Sequence, residues 1–343
     1  MSAKDLKTTG LILLLGFTPV FLVLSIVNSE LIPLFIISLV SGLALFLIGR
    51  EKEKRNSEEY SVGQTAAPYT RSRRKDSGRR GTFPPYLYQG NVLNERYLIR
   101  KRLKKGGMSI ITLAQDIETD MFCVIKAPRR DTGHDASINV EKLSLEATVL
   151  SQLNHPNIVR YLDMFLYDDM PHLVVEHIEG ENLFDLLSKK PAAERRVIRW
   201  GDQILSALDH MHRFGLIHRD VNPGNIMLTR DDNVIIIDFG TTKPVDSEGV
   251  TVIKTPGFEV PEMVSTGYAD ERSDLFGVGG TLFYLLTSTP PGLIGNRNAA
   301  QILLSKGVSE RTAWCIAQAL QMDADLRFQS AAAMRQALCG NGL

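Results

Sequence analysis

The octapeptide HRDVNPGN (218–225) sets an acid, Asp220, five residues ahead of an amide, Asn225. A carboxylate that can orient a hydroxyl, beside an amide oxygen that can face a hard cation, suits a loop that transfers phosphate. Groups of related character stand far away in the chain: Lys126 in VIK (124–126), Glu141 and Glu146 on one stretch, and Asp238 opening DFG (238–240). Any single Lys/Glu pair is ordinarily a surface ion pair worth about 0–1 kcal/mol. What these groups amount to depends on the elements that carry them.

Strand-like alternation begins near Tyr97 and covers residues 97–103, 110–116 and 122–127. A helical stretch follows at 139–153, then strands at about 160–167 and 172–178, and past residue 182 the periodicity is mostly helical. A further apolar strand at 234–237 leads into Asp238. The pattern predicts an α+β fold, with a small β-rich lobe ahead of a larger helical one.

Five motifs then fall in order. LKKGGMSIITLAQD (103–116) resembles the glycine-rich nucleotide loop of protein kinases, and VIK their strand lysine motif. HRDVNPGN resembles the catalytic loop, DFG the metal-binding motif, and VPE (260–262) the end of the activation segment. Each alone is a weak signal, whereas five in order at the right intervals are a strong one. The resemblance covers roughly residues 94–340 and points to bacterial-type, membrane-anchored Ser/Thr kinases. SDLFGVGGTLFYLLTS (273–288) and DADLRF (323–328) extend it beyond the parts shared with small-molecule phosphotransferases.

The resemblance implies a two-lobed kinase fold that uses ATP and Mg²⁺ to phosphorylate Ser/Thr on protein substrates. Lys126 would hold the α- and β-phosphates with Glu146 as its partner, Glu141 being the runner-up. Asp238 and Asn225 would bind the metal, and Asp220 would orient the acceptor hydroxyl. His218 would serve packing and hydrogen bonding. Leu103, Gly106, Gly107, Ser109 and Ile111 would cover the nucleotide. Glu176 and Ile178 would form the hinge behind Val175, a small gatekeeper that predicts access to a back pocket. Thr255 would contact Asp220 and favour Ser/Thr acceptors. Glu262 would pair with Arg327, and Asp274 would brace the catalytic-loop backbone. Arg219 invites a phosphate on the activation segment, with Thr251 the first choice, then Thr242 and Thr255. Phosphorylation in trans through self-association fits this frame.

Three positions depart from the family pattern. The glycine positions of the nucleotide loop read Lys104, Gly106 and Ser109; Lys254 stands where a small glycine usually precedes the threonine; and Asn222 replaces the lysine of the family's catalytic loop. Losing one such electrostatic donor is worth on the order of 10²–10³ in rate. Lys104 or Lys243 could supply that charge. If neither does, Asn222→Lys is expected to raise turnover. The alternative reading is a pseudokinase, a nucleotide-binding membrane scaffold. Against it stand intact Lys126, Glu146, Asp220, Asn225 and Asp238.

The first ninety residues are of another kind. Residues 11–27 and 31–48 carry no charge and are separated only by Asn28-Ser29-Glu30. At about 1.5 Å per residue each spans roughly 26 Å, near the hydrocarbon thickness of a bilayer. A two-span hairpin over residues 1–49 keeps Glu30 out of the bilayer centre. Lys4 and Lys7 before it, with Arg50, Lys52, Lys54 and Arg55 behind, predict cytoplasmic termini and a cytoplasmic kinase domain. The outer loop leaves no room for a sensor domain. Residues 50–93 read as a basic flexible linker; residues 50–82 hold ten Lys/Arg against five acids in a chain with 39 of each. Such a segment suits anionic lipid, although a solvated linker is the plainer reading, and no nucleic-acid partner is expected. Cys123, Cys315 and Cys339 follow no metal spacing and predict no disulfide framework.

Overall fold

Strand alternation sorts the small lobe into two faces. Six antiparallel strands, β1 (Val92–Leu93), β2 (Tyr97–Lys105), β3 (Ser109–Asp116), β4 (Phe122–Pro128), β5 (Tyr161–Tyr167) and β6 (Met170–Glu176), pair in the order β1-β2-β3-β4-β6-β5. Helix α1 (Ala136–Gln152) lies between β4 and β5 in the chain. The register sets Ile111 opposite Lys126, Lys126 opposite Leu173, and Val124 opposite Val175. Cross-strand partners project on the same side, so these residues share one face. Leu173 and Val175 there join α1 residues Leu143, Ala147 and Leu150 in the main core. The alternate residues Ile110, Ala114, Cys123, Ile125, Ala127 and Val174 are buried in a second core.

The computed structural model describes residues 84–105, 109–129, 136–188, 190–244, 256–292 and 296–340. Residues 83–343 form one unit. Leu87 and Leu93 lie in the second core, and Tyr86 packs against Tyr167 with ring centroids 4.9 Å apart. The expected hairpin (1–49) and most of the linker lie outside the described residues. Among those described, no helix is long and apolar enough to cross a membrane.

The large lobe comprises α2 (Leu183–Leu187), α3 (Glu194–His212), α4 (Pro261–Ser265), α5 (Glu271–Thr287), α6 (Asn296–Ser305), α7 (Glu310–Ala319) and α8 (Ala331–Cys339). On α3, Val197, Trp200, Ile204, Leu208 and Met211 repeat at helical spacing and are buried, as expected of an amphipathic helix. Helix α5 is buried from Ser273 through Thr287. It starts at an Asp270–Ser273 capping box, which satisfies its first backbone donors. Short strands accompany these helices: β7 (Gly180–Asn182) ahead of α2, and β8 (Leu216–Ile217), β9 (Ile226–Thr229), β10 (Val234–Ile236) and β11 (Lys243–Pro244) between α3 and α4. They pair as β10-β9-β7 and β11-β8. The loop 218–225 therefore leaves β8 and enters β9, and DFG leaves β10. Both functional loops are held at each end by paired backbone.

Candidate active site

Lys126 reaches the site from β4 because its face of the sheet meets α1. Its Nζ lies 2.5 Å from Glu146 Oε1 and 3.7 Å from Asp238 Oδ1, and donates to the Ile237 carbonyl at 3.3 Å. Glu146 is the partner, while Glu141 on the same helix is exposed. Burial opposes both charges of the pair. For Lys126 the carboxylates of Glu146 and Asp238 outweigh it and hold the ammonium above its ordinary pKa. For Glu146 burial pushes the carboxyl up while Lys126 pulls it down; at this separation the contact is an ammonium donating to a carboxylate. Glu146 Oε1 also accepts from the Phe239 backbone at 3.3 Å. One carboxylate thus ties the lysine to DFG.

DFG is fixed from two further sides. Asn157 Nδ2 donates to Val234 O, Ile236 N to Asn157 O, and Ile237 N to Asn225 O. The Phe239 ring is fully buried against His218, with centroids 5.2 Å apart. Half of the Asp238 side chain remains exposed.

In the catalytic loop, Asn225 Nδ2 donates to Asp220 Oδ2 at 2.9 Å and Asn222 Nδ2 to Asp220 Oδ1 at 2.8 Å. The loop is fastened from below by Asp274, 1% exposed on α5. Its Oδ2 accepts from His218 N at 2.9 Å and its Oδ1 from Arg219 N at 2.8 Å. His212 Nε2, at the end of α3, sits 2.9 Å from Asp274 Oδ2. Arg219 takes φ +70°, a strained value for a non-glycine residue that these bonds maintain. A turn beyond Asp274, Gly277 allows α5 to approach: a Cβ there would meet Val221 O at 2.7 Å. Neither His212 nor Gly277 is singled out by the sequence reading. A histidine six residues before His218 and a helical glycine four residues before Thr281 are the only traces they leave.

The structure brings Lys126, Glu146, Asp220, Asn222, Asn225 and Asp238 into one neighbourhood. Ile111 shares the Lys126 face, Ser109 opens β3, and Leu103 lies at an irregularity of β2, 43% exposed. Glu176 ends β6, so the expected strand at 172–178 stops before the hinge. The Glu176 carboxylate accepts from Arg160 N at 2.8 Å. Ile178 follows in the loop between β6 and β7. Gly106, Gly107, Thr251, Lys254 and Thr255 lie outside the described residues. Thr242 is 1% exposed, which removes it as an accessible phosphate acceptor in this arrangement. Glu262 and Arg327 form the expected pair, with both guanidinium contacts at 2.8 Å, and Ser273 Oγ donates to Glu262 at 2.6 Å. Burial pushes the Glu262 pKa up, but the bonds from Arg327 and Ser273 outweigh it and the carboxyl is held low. Lys243 stands in a group with Arg219, Lys142 and Glu141; burial, then Arg219 and Lys142, lower its pKa.

The donor set fits Mg²⁺. Asp238 offers a half-exposed carboxylate, and Asn225, whose Nδ2 is turned to Asp220, keeps Oδ1 as an oxygen donor. Hard cations of this size take one or two carboxylates together with substrate phosphates.

The protein kinase domain family model matches residues 97–334. The chain is 32% identical over 207 residues to a probable serine/threonine-protein kinase of Clostridium perfringens, covering 59% of this chain and 30% of the relative. It is 32% identical over 207 residues to the serine/threonine-protein kinase PrkC of Bacillus subtilis, covering 59% and 32%. To PknB of Mycolicibacterium smegmatis it is 31% identical over 266 residues, covering 71% and 42%. The chain thus spans less than half the length of each of these curated relatives. The lobes, the lysine–glutamate pair joined to DFG and the braced catalytic loop agree with the family match, and the chain belongs to the protein kinase domain family.

Proposed function

We propose that this protein is a serine/threonine protein kinase, anchored by a two-span hairpin in residues 1–49, that uses ATP and Mg²⁺ at the cytoplasmic face of a membrane. The observation that carries the reading is the convergence of Lys126, Glu146 and Asp238 beside the Asp220–Asn225 pair. Lys126, kept charged by its carboxylate neighbours, binds the α- and β-phosphates. Asp238 and Asn225 hold Mg²⁺, which when bound offsets the charge that develops on the transferring phosphoryl group. Asp220 receives the hydrogen bond of the acceptor hydroxyl and aligns it. Phe239, buried against His218, keeps Asp238 at the mouth of the site.

Ser/Thr acceptors are favoured by Thr255 and by the similarity of this chain to serine/threonine-protein kinases. The membrane reading is supported by the uncharged runs 11–27 and 31–48 and the basic residues that flank them. Residues 50–80 suit contact with anionic lipid. Lys243, just past DFG, stands near Arg219 and Lys142 as well as Glu141, a basic setting that favours a phosphate arriving on the activation segment, Thr251 first, by phosphorylation in trans between associated copies. A second reading, a nucleotide-binding membrane scaffold with weak or no phosphotransfer, is favoured by Asn222 alone. The test is full-length protein in lipid nanodiscs with labelled ATP, Mg²⁺ and a generic basic protein. Label on Ser/Thr that Asp220→Ala abolishes supports the kinase. ATP-dependent thermal stabilisation without label supports the scaffold. Release of the chain from membranes by alkaline carbonate would remove the anchor from the proposal.

A further inference from the structure

Asn222 stands where the family pattern has lysine, and its surroundings give it another task. It is 4% exposed. Its Nδ2 donates to Asp220 Oδ1 at 2.8 Å and to the Asp220 carbonyl at 3.1 Å. Its Oδ1 accepts from Gly224 N at 2.9 Å and so caps the 3-10 turn Pro223–Asn225. A primary amide has two N–H donors, and Asn222 directs both at Asp220. The second carboxylate oxygen of Asp220 is met by Asn225 at 2.9 Å.

We infer that Asn222 is a positioning residue: its neutral amide fixes the acceptor-orienting carboxylate of Asp220, and it does not act as a phosphate-contacting group. The inference rests on the reading of Asp220 given above. A clamp on both oxygens sets the plane of the carboxylate, and a misplacement of about 1 Å at such a group lowers rates on the order of 10²-fold.

Asn222→Asp in the full-length protein separates the two halves of the side chain. The new carboxylate can still accept from Gly224 N, so the turn keeps its cap, but both donors to Asp220 are lost and a like charge faces it. At pH 8 kcat is expected to fall about 10²-fold with the KM for ATP within about twofold of the parent. Asn222→Ser, which keeps an acceptor and one donor, is expected to fall between the two and serves where Asn222→Asp does not fold. The inference is overturned by kcat at pH 8 within about threefold of the parent, which would leave Asn222 a turn cap alone. It is equally overturned by a large rise in the KM for ATP at unchanged kcat. Parental activity in Asp220→Ala would instead overturn the reading of the site beneath it.

Discussion

Asp274→Asn is the most searching change to the frame of the catalytic loop, because it keeps the shape of a buried side chain and alters only its hydrogen-bonding character. Asp274 accepts on both oxygens: His218 N and His212 Nε2 on Oδ2, and Arg219 N on Oδ1. An asparagine has one accepting oxygen. Its better orientation keeps that oxygen towards His218 and His212 and turns NH₂ against Arg219 N. A buried unsatisfied donor of this kind costs about 1–3 kcal/mol, and replacing two charge-assisted bonds by neutral ones costs about 1 kcal/mol more. Arg219 at φ +70° then loses what holds it there. The expected total is about 3 kcal/mol, which for a domain of this size lowers Tm by roughly 6–12 °C. Turnover measured well below the transition should fall about 10²-fold as Asp220 drifts. Thermal unfolding and steady-state phosphotransfer on the same preparation measure both. A Tm within about 2 °C of the parent together with kcat within about twofold would refute the reasoning. In a double-mutant cycle His212→Ala should lose part of its effect in the Asp274→Asn background, where its bond is kept but is no longer to a charged acceptor.

Removing either partner of the Glu262–Arg327 pair strands a buried charge and is expected to cost about 3–5 kcal/mol by urea unfolding, whereas replacing both with apolar residues of similar volume should recover most of it. Gly277→Ala, whose Cβ would approach Val221 O at 2.7 Å, should cost about 1–3 kcal/mol and slow turnover by displacing the loop; parental kcat and stability would contradict the packing argument. Burial, then His210 and Arg335, lower the pKa of His155. The folded state therefore favours neutral imidazole, and this contribution is present above the unfolded value of about 6.5 and lost as pH falls through it. Urea midpoints at pH 7.5 and pH 5.5 should converge in His155→Gln.

The residues that handle charge were legible in the sequence because chemistry restricts their type: a lysine for phosphates, carboxylate and amide oxygens for a hard cation, an acid for a hydroxyl. Their order along the chain supplied the lobes. What escaped were residues that act through shape or through another side chain. Leu87 and Leu93 fall within the stretch that reads as linker, since a 3-10 turn and the two-residue β1 are too short to show periodicity. The strand β6 was expected to continue to residue 178 because Ile178 extends the apolar pattern, yet its pairing ends at Glu176. Gly277 reads as a helix penalty unless the backbone opposite it is known. Asn222 was visible as a missing charge, but the direction of its amide was not.

The site depends on the two lobes in unequal ways. Asp220, Asn222 and Asn225 are fixed within the large lobe by Asp274 and by their own turn, so they stay in place whatever the small lobe does. Lys126 is fixed to the sheet. Glu146 addresses both sides, through Lys126 Nζ at 2.5 Å and Phe239 N at 3.3 Å, alongside the contacts of Lys126 to Ile237 O and Asp238, and it rides on α1. Moving α1 away from the sheet would therefore release the lysine and DFG together while leaving the acceptor carboxylate set. Nucleotide binding is then the step most exposed to a displacement of α1, and acceptor alignment the least. A perturbation confined to α1 should raise the KM for ATP before it lowers the rate at saturating nucleotide, whereas one at Asp274 should do the reverse.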